Sequence, residues 1–565
     1  MFFSIEVQGW IGLLARCDVS EPRPLVFRKS GPGDSDRPPF NWSHVMNVIT
    51  KLLLAATFTS TAISTAGAQP FNRLIGTQLD ETARGIAATS DGGYVTAGSI
   101  LFSGTTAANL DILVVKYAAD GTVDWSITWG GIQDDIGYSV KQTRDGGYIV
   151  GAETQSAGAL LNLASLKLDA GGNVMWSWVY EGDTSAEDVI HGRGAGVAVK
   201  EVSGGYVLTG RKVVSQTQQD GVIIRTSPVG SPIFNFRYSN PTQEQRSRLT
   251  FSDIRDEEAG TLVVTGTAQF TNAAGAPPQH DPILMRVASN GAPIIGTNFT
   301  FFTPNNAPES GTGDGLDLME NGDIIFDGRT DLGTAGSQNI HVFRTDPGFG
   351  MLWMGFQNRM GTAYRSIHQD RNNNIALGGW AGTFPAASDA MLMLLGPGGN
   401  PLVGRTYNFL PAALGVVPNF INAVDGYGLC GNVTLPAATG FGGIDIELIH
   451  TDNTGAVGCL DDRFEPRPAR LPVQNPRWQP QSVSQAGTIW QANFRRITMR
   501  QDLICPVCPD CAADFNQDGG VDGSDVTAFF AAWAAAEPCA DVNLDGGVDG
   551  ADVGAFFVVW SAGGC

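Results

Sequence analysis

A mainly β chain with a small helical C-terminal module is what this sequence predicts. Three observations carry that expectation. A turn-and-strand signature returns seven times between residues 69 and 460. That stretch shows no helical periodicity. Near the C-terminus, two acidic, glycine-studded segments are each followed by an apolar stripe at helical spacing.

The repeat is clearest in SDGGYVTAG around Tyr94. It returns as RDGGYIVG at Tyr148 and SGGYVLTG at Tyr206. Weaker forms are GTLVVTG at Leu262, NGDIIFDG at Ile324, NNNIALGG at Ile375 and DGYGLCG at Tyr427. Each is a turn followed by a short alternating strand that ends at glycine. A second signature follows, in which Asp111, Asn162, Asp220, Asp281, Asn339, Asp389 and Asp445 open apolar strands. Five residues on stands a basic residue: Lys116, Lys167, Arg225, Arg286, Arg344 and, in the seventh copy, His450; Leu394 takes the place in the sixth. A turn such as DAGGN and an aromatic-rich strand such as VDWSITWGG complete the unit. Four strands per unit at intervals of 51–62 residues predict a seven-bladed β-propeller over residues 69–460. The stretch PFNRLIGTQLD resembles a fourth strand, and the seventh unit fades after its third strand near Cys459. Ring closure by the N-terminal strand is therefore expected, which hides sheet edges that would otherwise pair with other chains. A pair of β-sandwiches is the runner-up architecture.

The blades resemble the DGGY-type propeller repeats of secreted bacterial proteins. LDAGGNVMW, Leu168 to Trp176, is similar to the tryptophan-docking motif of quinoprotein propellers, and units 1, 2 and 5 keep its tryptophan as Trp125, Trp176 and Trp353. No quinone-binding constellation accompanies it. The resemblance implies a fold and no chemistry, because propellers host many functions.

Residues 1–45 read as an upstream extension and Met46 as the translation start. Residues 46–68 then read as a signal peptide: Lys51, the apolar run Leu52–Phe58, and a small-residue cleavage site at Ala66-Gly67-Ala68. No other run approaches the length of a membrane span. The expected location is secreted, extracellular or at the cell surface. Cys430, Cys459, Cys505, Cys508, Cys511, Cys539 and Cys565 cluster toward the C-terminus, which fits disulfides outside the cytosol and leaves one thiol over. Residues 461–504, rich in Pro, Gln and Arg, read as a linker, although TIWQANFRRITM within it alternates enough to pack on the propeller.

Residues 505–565 contain DFNQDGGVDGSDV and, 27 residues later, DVNLDGGVDGADV. Oxygen-bearing side chains stand at loop positions 1, 3, 5, 9 and 12: Asp514, Asn516, Asp518, Asp522 and Asp525, then Asp541, Asn543, Asp545, Asp549 and Asp552. Gly519 and Gly546 turn the chain at position 6, and position 7, Gly520 or Gly547, offers its backbone carbonyl. That pattern is an EF-hand-like calcium loop, and its hard oxygen donors favour calcium over zinc or copper. Two Ca2+ ions are expected. Position 12 is Asp rather than Glu, one methylene shorter. Val526, Phe529, Phe530 and Trp533, and again Val553, Phe556, Phe557 and Trp560, follow at helical spacing, so the two helices are expected to pack their aromatic faces together.

This duplicated loop and helix resembles the type I dockerin repeat. Its GGC terminus, with Cys511 before the first loop, looks like the variant on secreted planctomycete-type proteins. The resemblance implies a partner of cohesin type or another cell-surface protein, and an association with polysaccharide catabolism. The family's Ser-Thr recognition pair is replaced by Gly523-Ser524 and Gly550-Ala551, and its basic pair by Phe530-Ala531 and Phe557-Val558. Calcium binding carries over, whereas cohesin binding does not.

Catalytic constellations are scarce. His191, His280, His341, His368 and His450 fall in different units, and neither a nucleophile elbow nor a P-loop is present. Asp134-Asp135 and Glu187-Asp188 recur at the repeat period, which points to turn chemistry rather than glycosidase carboxylates. The third-strand cations are expected to pair with the acidic turns. A net charge of −21 argues against recognition of a phosphate backbone, which needs clustered Lys and Arg, so no nucleic-acid partner is expected. The expected function is a non-catalytic binding or scaffold role toward a protein or glycan. The alternatives are a dockerin-bearing glycan-active hydrolase and, more remotely, a quinoprotein-like oxidoreductase.

Overall fold

The computed structural model describes residues 69–562 apart from several internal segments, among them 181–196, 408–418, 435–442, 506–511, 517–519 and 544–547. The signal-peptide reading lies outside the described residues. Mainly β structure is observed, arranged as antiparallel sheets in sequence order. The first sheet holds Asp80–Ala88, Tyr94–Ser103, Ala108–Tyr117 and Val123–Gly130. Later units repeat this order, and their first strands are Asp135–Gln142, Ala198–Val202, Arg248–Asp256, Leu316–Leu318, Thr362–Gln369 and Asn419–Asn422. Each first strand packs against the first strand of the next unit, and Asn419–Asn422 packs back on Asp80–Ala88. Phe71–Gly76 pairs with the third strand of the last unit, with Phe71 opposite His450 and Ile75 opposite Ile446.

The strands do not alternate in burial as their sequences suggest. Every residue of Tyr148–Thr154 and of Asp445–Thr451 is buried. The reason is that each sheet is covered on both faces. Val150, Leu166 and Leu168 join Val95, Val114 and Ile127 of the preceding sheet in one core. Ile149, Leu163 and Tyr180 face the following sheet with Leu208 and Val222. The same arrangement links the last unit to the first, where Phe71, Ile446 and Leu448 meet Tyr94, Leu113 and Val115. Each such large apolar side chain contributes roughly 1.5–3 kcal/mol by leaving water.

The repeat glycines have steric causes. In four first strands the register slips at Arg84, Tyr138, Ser252 and Arg365, each a β-bulge. The bulged strand approaches the second strand so closely that a Cβ on Gly98 or Gly266 would overlap the carbonyl of Thr82 or Thr250. The tryptophan staple is present too: Trp353 Nε1 donates to Pro397 O at 3.2 Å across to the next unit.

Residues 461–504 correct the linker reading. Short strands in this segment pair antiparallel with the last strand of one unit after another, in reverse order. Asp461–Phe464 pairs with Pro401–Tyr407, and Pro468–Ala469 with Met351–Gln357. Arg477–Trp478, Gln481–Ser484, Thr488–Ile489 and Asn493–Arg496 pair with the fourth, third, second and first units in turn. Arg500–Cys505 then pairs with Phe71–Gly76. The open edge of each outer strand presents unpaired amides and carbonyls, and this segment supplies their partners. Proline-rich composition is compatible because each pairing spans only a few residues.

Candidate calcium-binding loops and a charged cavity

Two helices follow the acidic loops: α1, Gly523–Ala534, and α2, Gly550–Ala562. Asp522 and Asp549 cap them. Asp522 Oδ1 accepts from Ser524 N at 2.7 Å and Ser524 Oγ at 2.6 Å, and Asp549 Oδ1 accepts from Ala551 N at 2.7 Å. The Ser524 hydrogen bonds hold the Asp522 carboxyl below its ordinary value. Position 12 is fully buried in both loops. Asp525 accepts the amides of Asn516 at 3.1 Å and Asp522 at 2.8 Å, and Asp552 accepts those of Asn543 at 3.2 Å and Asp549 at 2.8 Å. Each loop is thus folded back on its last carboxylate.

These residues suit calcium. The donors are all oxygen, and each oxygen of Asp525 and Asp552 that accepts one amide keeps a second lone pair. Asn516 commits its Nδ2 to Ser524 Oγ at 2.7 Å, which fixes the orientation of its amide. Asp514, Asn516, Gly520, Asp522, Asp525, Asn543, Asp549 and Asp552 are described, whereas Asp518, Asp541, Asp545 and Gly547 lie outside the described residues. Among the described residues no group of three or more His, Cys, Asp or Glu is gathered at metal-binding distance.

The two units pack face to face. Phe529 and Phe556 stack at 4.1 Å with planes 2° apart, and Phe515 lies edge-on to both. Trp533 Nε1 donates to Asp549 O at 2.7 Å, and Trp560 Nε1 donates to Asp522 O at 2.9 Å. Each helix therefore grips the loop of the other unit. One expectation is corrected here. Phe530 and Phe557 leave the core, 38% and 37% exposed, while Ala532 enters it. A helix this short buries a narrow stripe, and one aromatic per turn fills it.

The third-strand cations mostly pair with the acidic turns. Lys116 bonds Asp91 at 2.8 Å, Lys167 bonds Asp145 at 3.0 Å, Arg286 bonds Glu257 at 2.6 Å and Arg344 bonds Asp323 at 2.6 Å. Arg225 instead donates to the Ser203 and Ser289 carbonyls, and buried His450 meets the Tyr94 hydroxyl. Asp134 and Asp135 organise turns: Asp134 accepts from Leu110 N at 2.9 Å, and Asp135 accepts from Gly131 N and Ser156 Oγ, each at 2.7 Å. Glu187, Asp188 and His191 lie outside the described residues. Cys430 is buried.

Sequence reasoning missed a second cluster. Opposite the residue that follows each repeat anchor, the first strands place Ala87, Lys141, Lys200, Arg255, Asp317, His368 and Ile421. One register position thus carries five different ionisable groups in succession. Arg255 binds Asp253 at 2.6 Å and Asp317 at 3.1 Å, and His368 Nδ1 lies 3.4 Å from Asp317. Burial works to raise the Asp317 carboxyl, but His368 and Arg255 hold it well below its ordinary value. Aligning the seven first strands by their distance from the repeat anchor would have revealed the layer; reading each unit singly hides it.

No family model matches the chain, and none of the curated proteins does. Among solved structures it is similar to Drosophila Plexin A in complex with Semaphorin 1b, at 8% identity and TM-score 0.35 over 66% of this chain and 88% of that one. It is similar to polysaccharide lyase Uly1, at 10% and 0.41 over 66% and 90%. Drosophila Semaphorin 2a matches at 9% and 0.39 over 68% and 75%. At these values the likenesses say nothing of what this chain binds or does.

Proposed function

We propose that this chain is an exported, seven-bladed β-propeller protein, closed by its N-terminal strand and displayed through a C-terminal calcium-binding module of dockerin type. Its role is binding or scaffolding toward a cell-surface protein or glycan. The observation that carries the anchor is the reciprocal grip of Trp533 on Asp549 O and Trp560 on Asp522 O, which joins the two loop-helix units into one body. The closed cycle of first-strand contacts supports the propeller. When calcium is bound it neutralises each loop's carboxylates; Asp525 and Asp552 tie the loop backbone in place, and the capped helices bring Phe529 and Phe556 together. Calorimetric titration of the chelated full-length protein should give two calcium sites, and no calcium heat would overturn the reading. A glycan array probed in calcium tests the partner class.

The glycan-active hydrolase reading draws on the non-repeating ionisable layer of the first strands. Its one carboxylate, Asp317, and the neighbouring Asp253 both bind Arg255, and Asp317 is held ionised, which suits neither a general acid nor a free nucleophile. The binding role is therefore preferred.

A further inference from the structure

The first strands of five units line a cavity of about 90 Å³, with Arg84, Tyr138, Lys141, Arg255 and His368 among the wall residues. Its charges do not balance. Asp253 and Asp317 bind Arg255 and also attract Lys141 and Lys200, and Asp314 is matched by Arg329 at 3.1 Å. Among the described residues, Lys141 and Lys200 form neither hydrogen bond nor ion pair. Arg84 stacks on the Tyr138 ring at 5.3 Å, and its buried Nε has no hydrogen-bond partner. Among the described residues, four cations, Arg84, Lys141, Lys200 and Arg255, thus face the two carboxylates, and an excess of positive charge remains in a chain whose net charge is −21.

We propose that this cavity binds a small oxyanion, a carboxylate, sulfate or phosphate group, held by Lys141 and Arg84 of its wall, with Lys200 adding its charge from the neighbouring first strand, just outside the wall. The bulges at Arg84 and Tyr138 re-aim these two side chains, a device common beside binding sites. Half-buried ammonium groups that form no hydrogen bond or ion pair are costly, so a protein without a ligand for them would gain by losing them. Burial and Arg255 lower Lys141 to about 8 and, with Lys141 added, Lys200 to about 7, against the pull of Asp253 and Asp317. An anion reverses that cost. The serines Ser139, Ser252 and Ser366 on the same wall offer hydroxyl donors to the remaining oxygens. This site is independent of the calcium module.

The test is calorimetric titration of the full-length protein with sodium sulfate, sodium phosphate and sodium citrate at low millimolar concentration, in wild type, Lys200→Met and Lys141→Met/Lys200→Met. At least one anion should bind the wild type, and the double variant should bind it at least tenfold more weakly. In anion-free buffer Lys200→Met should melt at or above the wild-type temperature, because it removes one charge of a local positive excess. The anion that binds identifies the source: citrate alone points to a carboxylate ligand, sulfate or phosphate to a tetrahedral one. Equal binding by wild type and double variant, or no binding of any of the three, overturns the proposal. So does a lower melting temperature of Lys200→Met in anion-free buffer, since the lysine then has an internal partner. Lys141→Arg, which keeps the charge, should retain binding, and its loss would also overturn it.

Discussion

The indole N–H of Trp533 donates to the carbonyl of Asp549 at 2.7 Å, so a helix of one loop-helix unit is bonded to the loop of the other. Asp549 is loop position 9, the helix cap and a candidate ligand at once. Trp533→Phe keeps the ring and removes this bond. The expected loss is about 1 kcal/mol of module stability, with weaker calcium binding at the second loop than at the first. Trp560→Phe should do the reverse. Calcium titration of both variants reads the crossing directly, and equal weakening at both loops in each would count against it.

Phe529→Ala removes half of the stacked pair at the centre of the module. A fully buried Phe costs about 3–5 kcal/mol when truncated, more than a core this small can spare. The helical signal near residues 523–562 should disappear, while the thermal transition of the β sheets stays within error. Phe530→Ser, at a largely exposed position, should shift the module by less than about 1 kcal/mol.

Glu81 is buried at the seam between the first and last units, where its amide donates to Ile444 O at 2.8 Å. Burial raises its carboxyl from 4.5 to about 7; Thr77 opposes this by hydrogen bonding, and Asp445 adds to it. The native state therefore binds more protons than the unfolded chain between those values, and stability falls as pH rises through that window. Relative to wild type, Glu81→Gln should gain up to about 3 kcal/mol between pH 4.5 and 8. A pH-independent difference in denaturant midpoints would show that Glu81 titrates normally.

Deleting residues 69–76 strips two pairings at once, from Asp445–Thr451 and from Arg500–Cys505. The exposed edges should promote association. A lower melting temperature and oligomers in light scattering are expected. A monomer that melts like the full chain would refute closure through this strand.

Amides in Gln481–Ser484, Asn493–Arg496 and Arg500–Cys505 should exchange slowly with solvent, because each segment pairs with the outer strand of a unit. Hydrogen exchange by mass spectrometry distinguishes this from a tether, whose amides exchange at random-coil rates.

The repeating sheets are legible in the sequence, because a turn glycine, an anchor residue and an apolar strand are local signals that recur at a fixed period. So are the two loop-helix units, whose donors and caps lie within a dozen residues. What these pieces do to one another depends on contacts between distant segments. Phe530 and Phe529 are indistinguishable in an apolar stripe, and only the facing helix selects Phe529 for burial. Residues 461–504 look like a tether because pairings of a few residues leave no periodicity, and their partners lie far away in sequence. Lys141, Lys200, Arg255, Asp317 and His368 look unrelated along the chain because five different units contribute one residue each. Their shared register depends on strand pairing and on packing between units, and long-range contacts of that kind leave no trace in a local window.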